Sequence, residues 1–270
     1  MNRRILFRAL TSALIANLVL VAPAQKREKA DETRNAFLIT RKKASDSKPS
    51  PSTNARRQRP AGRIGIGYTL YQKDPGDKPV RVNLSQEFRA GDGVRLVIEA
   101  NTDGYLYVFH SENDGEPRMI FPDARLNGGD NHIPAHAPCE VPSRKETDPR
   151  FRWFYFDEKA ATERLYVAVT RKPLRGVPTR QELVAHCLAN PGSCPWRPAP
   201  ATWNLLAAKA SAPMLVSLEQ TSGQPQTVIE RESLERGLGL PPDAPSPSMV
   251  KISASPKAGM LITILDLIHK

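Results

Sequence analysis

Apolar and polar residues alternate along much of the chain after residue 63, and this period of two is typical of β-strands. The alternation is clearest over residues 64–71, 94–100 and 105–110, and nearly continuous apolar runs follow at 163–170 and 259–268. Turn signals recur about every 8 to 12 residues, and one of them, Asp103-Gly104, predicts a tight hairpin. The pattern predicts a mainly β fold, an antiparallel β-sandwich-like domain over residues 64–270.

A different pattern interrupts the strands between about residues 175 and 247. Thr179 and Glu182 have the spacing of a helix capping box, and apolar residues recur at helical spacing over 183–188, which predicts a helix over 180–189. Cys194 follows Cys187 across a short turn, so we predict a disulfide between them. The segment is therefore expected to be a small, disulfide-clamped helical insertion before the last strand, with a second helix at 203–209.

The first 24 residues have the layout of a signal peptide. Arg3 and Arg4 precede an apolar stretch over residues 10–21 that is too short to span a membrane, and a small-residue site ends at Ala24. We expect cleavage after Ala24 and a periplasmic or secreted product with no membrane span. An uncleaved N-terminal anchor is the alternative, because Lys26 and Arg27 follow directly.

Residues 25–63 are rich in proline, serine and basic residues, and the chain as a whole has a formal charge of +11 and 25 prolines. This composition predicts a disordered basic spacer. The spacer would either serve as a plain tether or contact an anionic surface through its basic residues. The cations concerned are Lys42, Lys43, Arg56, Arg57 and Arg59. No aromatic residues are interleaved with them for base stacking, and nucleic acid is not an expected partner.

Several short motifs occur in a fixed order between about residues 65 and 170. They are Phe88-x-x-Gly91-Asp92, Asp103-Gly104-Tyr105-Leu106-Tyr107-Val108-Phe109, Ile120-Phe121-Pro122, Asp130-Asn131-x-Ile133, Val141-Pro142 and Thr162-Glu163-Arg164-Leu165. This order resembles the bacterial domain family of unknown function DUF4384, and residues 248–269 resemble its last strand. The resemblance implies a β-sandwich-like accessory domain, often found in exported proteins or joined to signalling and peptidase modules, without established catalytic residues.

The chain contains none of the common catalytic or nucleotide-binding motifs. Asp130, His132 and His136 form a weak candidate set of zinc ligands, but Pro134 and Pro138 disfavour the helix that would bring the rings together. We therefore expect surface loop histidines, no metal and no cofactor. Cys139 is expected to be a small buried hydrophobe.

Aromatic residues are the remaining candidates for a contact surface. Tyr105, Tyr107, Trp153 and Tyr155 would either line a shallow groove for a peptide or glycan or pack against the sheets. The sequence thus favours an exported, non-enzymatic binding or scaffolding protein of the cell envelope, whose partner is a protein or envelope polymer. One alternative is an envelope hydrolase with a site in the insertion or around Asp123 to His136. Another is a subunit that docks through an open sheet edge or through the insertion.

Overall fold

The protein is described by a computed structural model over residues 21–45 and 62–270. Two β-sheets face each other and form the predicted β-sandwich. Strand pairs are antiparallel except for one short parallel pair in the second sheet. No helix within the described ranges is long and apolar enough to span a membrane.

The first sheet has seven strands and the second has six, numbered together in chain order. The first consists of β1 (Gly65–Lys73), β2 (Pro79–Arg81), β4 (Gly93–Ala100), β8 (Cys139–Val141), β9 (Phe154–Tyr155), β11 (Met214–Leu218) and β12 (Met249–Ser253). The second consists of β3 (Glu87–Phe88), β5 (Gly104–Glu112), β6 (Arg118–Phe121), β7 (His132–Ile133), β10 (Ala161–Thr170) and β13 (Met260–His269). The helices are α1 (Val21–Ser45), α2 (Arg180–Ala189), α3 (Pro200–Ala210) and α4 (Val228–Arg236), with short 3₁₀ turns at Asn127–Gly129, Pro149–Phe151 and Pro191–Ser193.

The main core lies between the two sheets. Alternate residues of β1 and β4, such as Ile66, Leu70 and Ile98, face alternate residues of β10 and β13, such as Val167 and Leu265. The strand period of two therefore places one side of each strand in the core, as the sequence pattern predicts.

The insertion covers the outer face of the second sheet. Tyr107 and Phe109 of β5 and Ile262 of β13 point away from the main core and pack under Leu183 of α2 and Leu206 of α3. The helices over 180–189 and near 203–209 are thus confirmed, as is the disulfide between Cys187 and Cys194. The insertion also contains β11, which joins the first sheet.

Two local expectations are wrong. Thr179 makes no capping hydrogen bond with its side chain at α2, whereas Thr227 and Glu230 form a complete capping box at α4. No hairpin joins β4 and β5, because these strands belong to different sheets. Gly104 is needed for a close approach, since a Cβ there would lie 2.5 Å from the carbonyl oxygen of Thr170.

The N-terminal helix α1 covers part of the outer face of the first sheet. Thr33, Phe37 and Arg41 recur at helical spacing, and all three are buried. Phe37 packs on Val250 and Ile252 of β12. The prediction of a disordered spacer is therefore wrong for residues 25–45. The buried face of the helix includes an arginine, so the segment reads as basic and polar and its helical pattern is not evident from the composition. Residues 1–20 and 46–61, which include Arg56, Arg57 and Arg59, lie outside the described residues.

Two glycines of β1 make room for this helix. A Cβ at Gly65 would lie 2.9 Å from the ring of Phe37, and a Cβ at Gly67 would lie 3.0 Å from the same ring and 2.5 Å from Pro247. Contacts this short would force a displacement. Small residues on the outer face of β1 thus allow the ring of Phe37 to approach the sheet.

An ion pair buried between α1 and β4 fixes this contact. The Arg41 guanidinium donates to both carboxylate oxygens of Glu99, with N–O distances of 3.0 and 2.6 Å, and to the carbonyl oxygen of Ala244 at 2.8 Å. Nδ1 of His136 lies 2.5 Å from the same carboxylate, and its Nε2 lies 2.8 Å from the Thr40 hydroxyl. Bidentate pairing of this kind offsets the cost of burying both charges.

We predict that Arg41→Leu lowers the free energy of unfolding by about 3 kcal/mol, because Glu99 then stays buried without its main partner. The double variant Arg41→Leu/Glu99→Leu should recover most of this loss. Arg27→Leu, which changes an exposed cation of the same helix, should change stability by less than about 0.5 kcal/mol. Urea unfolding measures all three, and equal effects of Arg41→Leu and Arg27→Leu would contradict the buried contact.

Candidate binding site

A pocket of about 460 Å³ opens where the rim of the sandwich meets the insertion. Its aromatic walls come from β6, from the segment around β9 and from the loop after the disulfide. We call it the aromatic pocket and define it by Phe121, Phe151, Trp153, Phe154 and Trp196. Two motifs of the family resemblance, Ile120-Phe121-Pro122 and Val141-Pro142, also meet here.

The disulfide positions one wall of the aromatic pocket. Cys187, at the end of α2, and Cys194, in the following loop, both line the pocket. The carbonyl of Trp196 accepts a hydrogen bond of 2.8 Å from the amide of Met119 in β6. The covalent bond and the strand contact together hold the Trp196 loop against the sandwich.

Arginines neutralise the acidic groups of the aromatic pocket. Glu140 receives hydrogen bonds from Arg144 at 2.7 and 2.8 Å and from Arg95 at 3.2 Å. Asp123 receives a bidentate contact from Arg125, whose Nη2 also lies 3.3 Å from Glu146. All three carboxylates that line the pocket are therefore engaged by cations, which disfavours a general acid at this place.

The same arginines pack on the aromatic rings. The Arg95 guanidinium lies 3.9 Å from the centre of the Trp153 ring and donates to the carbonyl of Arg152. Burial lowers the pKa of Arg95, and the charge of Glu140 opposes that shift. Arg125 lies 5.0 Å from the ring of Phe151. Cation–π contacts of this type hold the rings in place and leave an apolar pocket with charged edges.

The four aromatic residues predicted as a contact surface lie at different places. Tyr107 is fully buried because the insertion covers this face of β5, so it has the packing role of the two that the sequence allowed and is not a contact residue. Tyr105 is partly buried beside His132. Tyr155 is exposed outside the aromatic pocket, and Trp153 lines it.

The weak zinc candidates do not come together. Asp130 pairs with Arg180 at 2.9 Å, His132 is exposed, and His136 is buried against Glu99. The description of His136 as a surface histidine is wrong, because its loop folds over the outer face of β4. In residues 21–45 and 62–270, no three histidine, cysteine, aspartate or glutamate side chains are placed to hold a metal ion.

The fold shifts the pKa values of two other reactive side chains, Cys139 and Glu163. Burial raises the pKa of the Cys139 thiol to about 12, which disfavours a thiolate nucleophile. His110 contacts one oxygen of Glu163, and Nε2 of His269 lies 3.4 Å from the other. Burial raises the pKa of Glu163, but contacts with His110 and His269 outweigh it, and the pKa is lowered.

A second, more open groove of about 1180 Å³ lies beside the N-terminus of α2. Thr179, Arg180, His186 and Asn127 line it, and Trp196 separates it from the aromatic pocket. Its cation Arg180 already pairs with Asp130. The aromatic pocket is therefore the better candidate for binding.

By class, the molecule is a two-sheet β-sandwich with helices on both outer faces and an aromatic pocket at one rim. Residues 87–173 match the model of a family described as a domain of unknown function, DUF4384, which confirms the resemblance over these residues. The predicted resemblance of residues 65–86 and 248–269 lies outside the match. The matched residues run from β3 to the end of β10. No curated protein and no solved structure matches the chain.

We predict that Glu163→Gln lowers the free energy of unfolding by about 1 kcal/mol at neutral pH. A carboxylate with a lowered pKa in the folded state stabilises the fold above its ordinary value of 4.5, and this contribution is lost as the pH falls through the folded-state pKa. The difference from wild type should therefore shrink in acid. Urea unfolding across a pH series measures it, with the exposed Glu116→Gln as control. A difference that grows in acid would contradict the assignment.

Proposed function

We propose that this chain is an exported, non-catalytic binding module of the bacterial cell envelope and that the aromatic pocket is its binding site. The observation that supports this most is the combination of aromatic walls with carboxylates already neutralised by arginine. Such a pocket offers ring faces and apolar surface for recognition. It offers no free acid and base pair for hydrolysis.

The chemistry of the pocket favours a ligand that places an apolar side chain or the flat face of a sugar ring on the aromatic walls. A volume of about 460 Å³ is in the range of small-ligand pockets and suits one such group at a time. Arg125, which lines the pocket and is about half exposed, would then contact a polar group of the ligand. The envelope hydrolase considered as the alternative gains no support, because Asp123, Asp130 and His136 lie in three separate contacts.

Binding can be followed through the tryptophans of the pocket. In a Trp203→Phe background, the fluorescence comes from Trp153 and Trp196, which both line the pocket. The probes are a soluble muramidase digest of peptidoglycan and a synthetic proline-rich peptide. We expect one of them to give a saturable change in emission, and Phe151→Ala or Trp153→Leu to weaken it about tenfold or more.

Tyr155→Ala is the matched control, because Tyr155 adjoins Phe154 in β9 but lies outside the pocket. Circular dichroism checks that each variant folds. An equal effect of Tyr155→Ala and Trp153→Leu would place binding elsewhere. Mass spectrometry checks for cleavage of the probes. Fragments released in proportion to the concentration of this protein would contradict a non-catalytic role.

Export has its own test. The chain recovered from the periplasm of an expressing bacterium should have an intact mass that begins at Gln25, and reductant should add the mass of the two hydrogens of the Cys187–Cys194 pair. Cys187→Ser should abolish this increase, whereas Cys139→Ser should not. A chain that stays in the cytoplasm would contradict the export proposal, and an exported chain that keeps its first 24 residues would contradict cleavage after Ala24.

A further inference from the structure

Strand β11 is an end strand of the first sheet. It pairs with β12 over five consecutive residues without a register shift, from Met214 opposite Ser253 to Leu218 opposite Met249. On its other side, no strand pairs with it anywhere in the described parts of the chain. The insertion therefore extends the sheet and leaves a new edge.

The register shows which backbone groups face this edge. Ala254 donates to the carbonyl of Pro213, and Glu219 donates to the carbonyl of Ser248, so these residues form hydrogen-bonded pairs at the two ends of the ladder. Such pairs alternate along antiparallel strands. The intervening residues Met214, Val216 and Leu218 therefore point their N–H and C=O groups away from β12.

The outward side of β11 is apolar, while helix α1 contacts the outer face of the strand, where Arg34 donates to the Ser217 hydroxyl at 3.3 Å. Leu215, Val216 and Leu218 are 41, 44 and 52 % exposed. The strand contains no charged residue, no proline and no bulge, which are the usual protections of a free edge. Edge strand β6, by contrast, is engaged through the bond from Met119 to Trp196.

We propose that β11 pairs with β11 of a second copy of this chain, antiparallel about a two-fold axis at Val216. This register places Met214 opposite Leu218 of the second copy and Leu215 opposite Ser217, so every facing pair is uncharged. Each outward-facing residue would donate and accept a backbone hydrogen bond. Glu219 would face Pro213 of the second copy, but the backbone groups of both residues point to β12, so the ladder between the copies ends at Met214 and Leu218.

The absence of charged residues on β11 lowers the electrostatic cost of bringing two copies together at this position. The chain has a formal charge of +11, so two copies repel each other over most of their surface. A neutral, self-complementary strand is a place where close approach avoids that repulsion. Two-fold pairing is also the commonest symmetry of protein dimers.

The test is sedimentation equilibrium of the full chain over a concentration series. We expect wild type to form a dimer, and Val216→Lys and Val216→Glu each to weaken dimerisation about tenfold or more, because equal charges then face each other across the axis. Mixing the two variants should restore the dimer as a Lys–Glu pair. Leu205→Lys, a change of an exposed leucine on α3, should leave dimerisation unchanged.

Circular dichroism confirms that the variants fold before they are compared. A wild-type chain that remains monomeric at all concentrations would overturn the proposal and leave the edge to a strand of another protein. Failure of the mixed variants to associate would overturn the register at Val216. If Leu205→Lys weakened dimerisation as much as the Val216 variants, the proposal would also be overturned, because the effect would not be specific to β11.

Discussion

The buried ion pair between Arg41 and Glu99 determines how the first sheet is covered. Glu99 lies on the outer face of β4 at the centre of a contact that joins α1, the loop at His136 and the loop at Ala244. A carboxylate at this depth is unstable without a cation, so the N-terminal helix becomes part of the domain rather than a tether. The absence of side chains at Gly65 and Gly67 of β1 leaves room for the Phe37 ring, so the helix packs closely on the sheet.

A second buried carboxylate on this side of the first sheet is also paired with an arginine. Arg81 of β2 pairs with Glu230 of α4 at 2.6 Å, and the Tyr71 hydroxyl donates to the same carboxylate. The second sheet instead has apolar residues on its outer face and is covered by the apolar sides of α2 and α3. The aromatic pocket forms where this helical cover ends at the rim. It is therefore a consequence of how the insertion seats on the sandwich.

The sequence predicts local structure well and long-range arrangement poorly. The strands at 105–110 and 163–170, the helix at 180–189 and the Cys187–Cys194 disulfide follow from short-range patterns, and all are present. The assignment of β4 and β5 to different sheets depends on distant partners and could not be predicted. For α1, the buried stripe includes Arg41, whose charge concealed it. The pocket joins Trp153 to Phe121 and Trp196, which no local spacing connects.

The boundaries of the family match separate the two proposed surfaces. Phe121, Phe151, Trp153 and Phe154 lie within residues 87–173, whereas Trp196 and the disulfide belong to the insertion. The matched domain thus supplies most of the aromatic walls, and the insertion closes one side and so defines their final shape. Strand β11 lies entirely outside the match, and its open edge exists because the insertion adds a strand beyond β12. The proposed ligand pocket and the proposed contact between copies therefore use different segments of the chain.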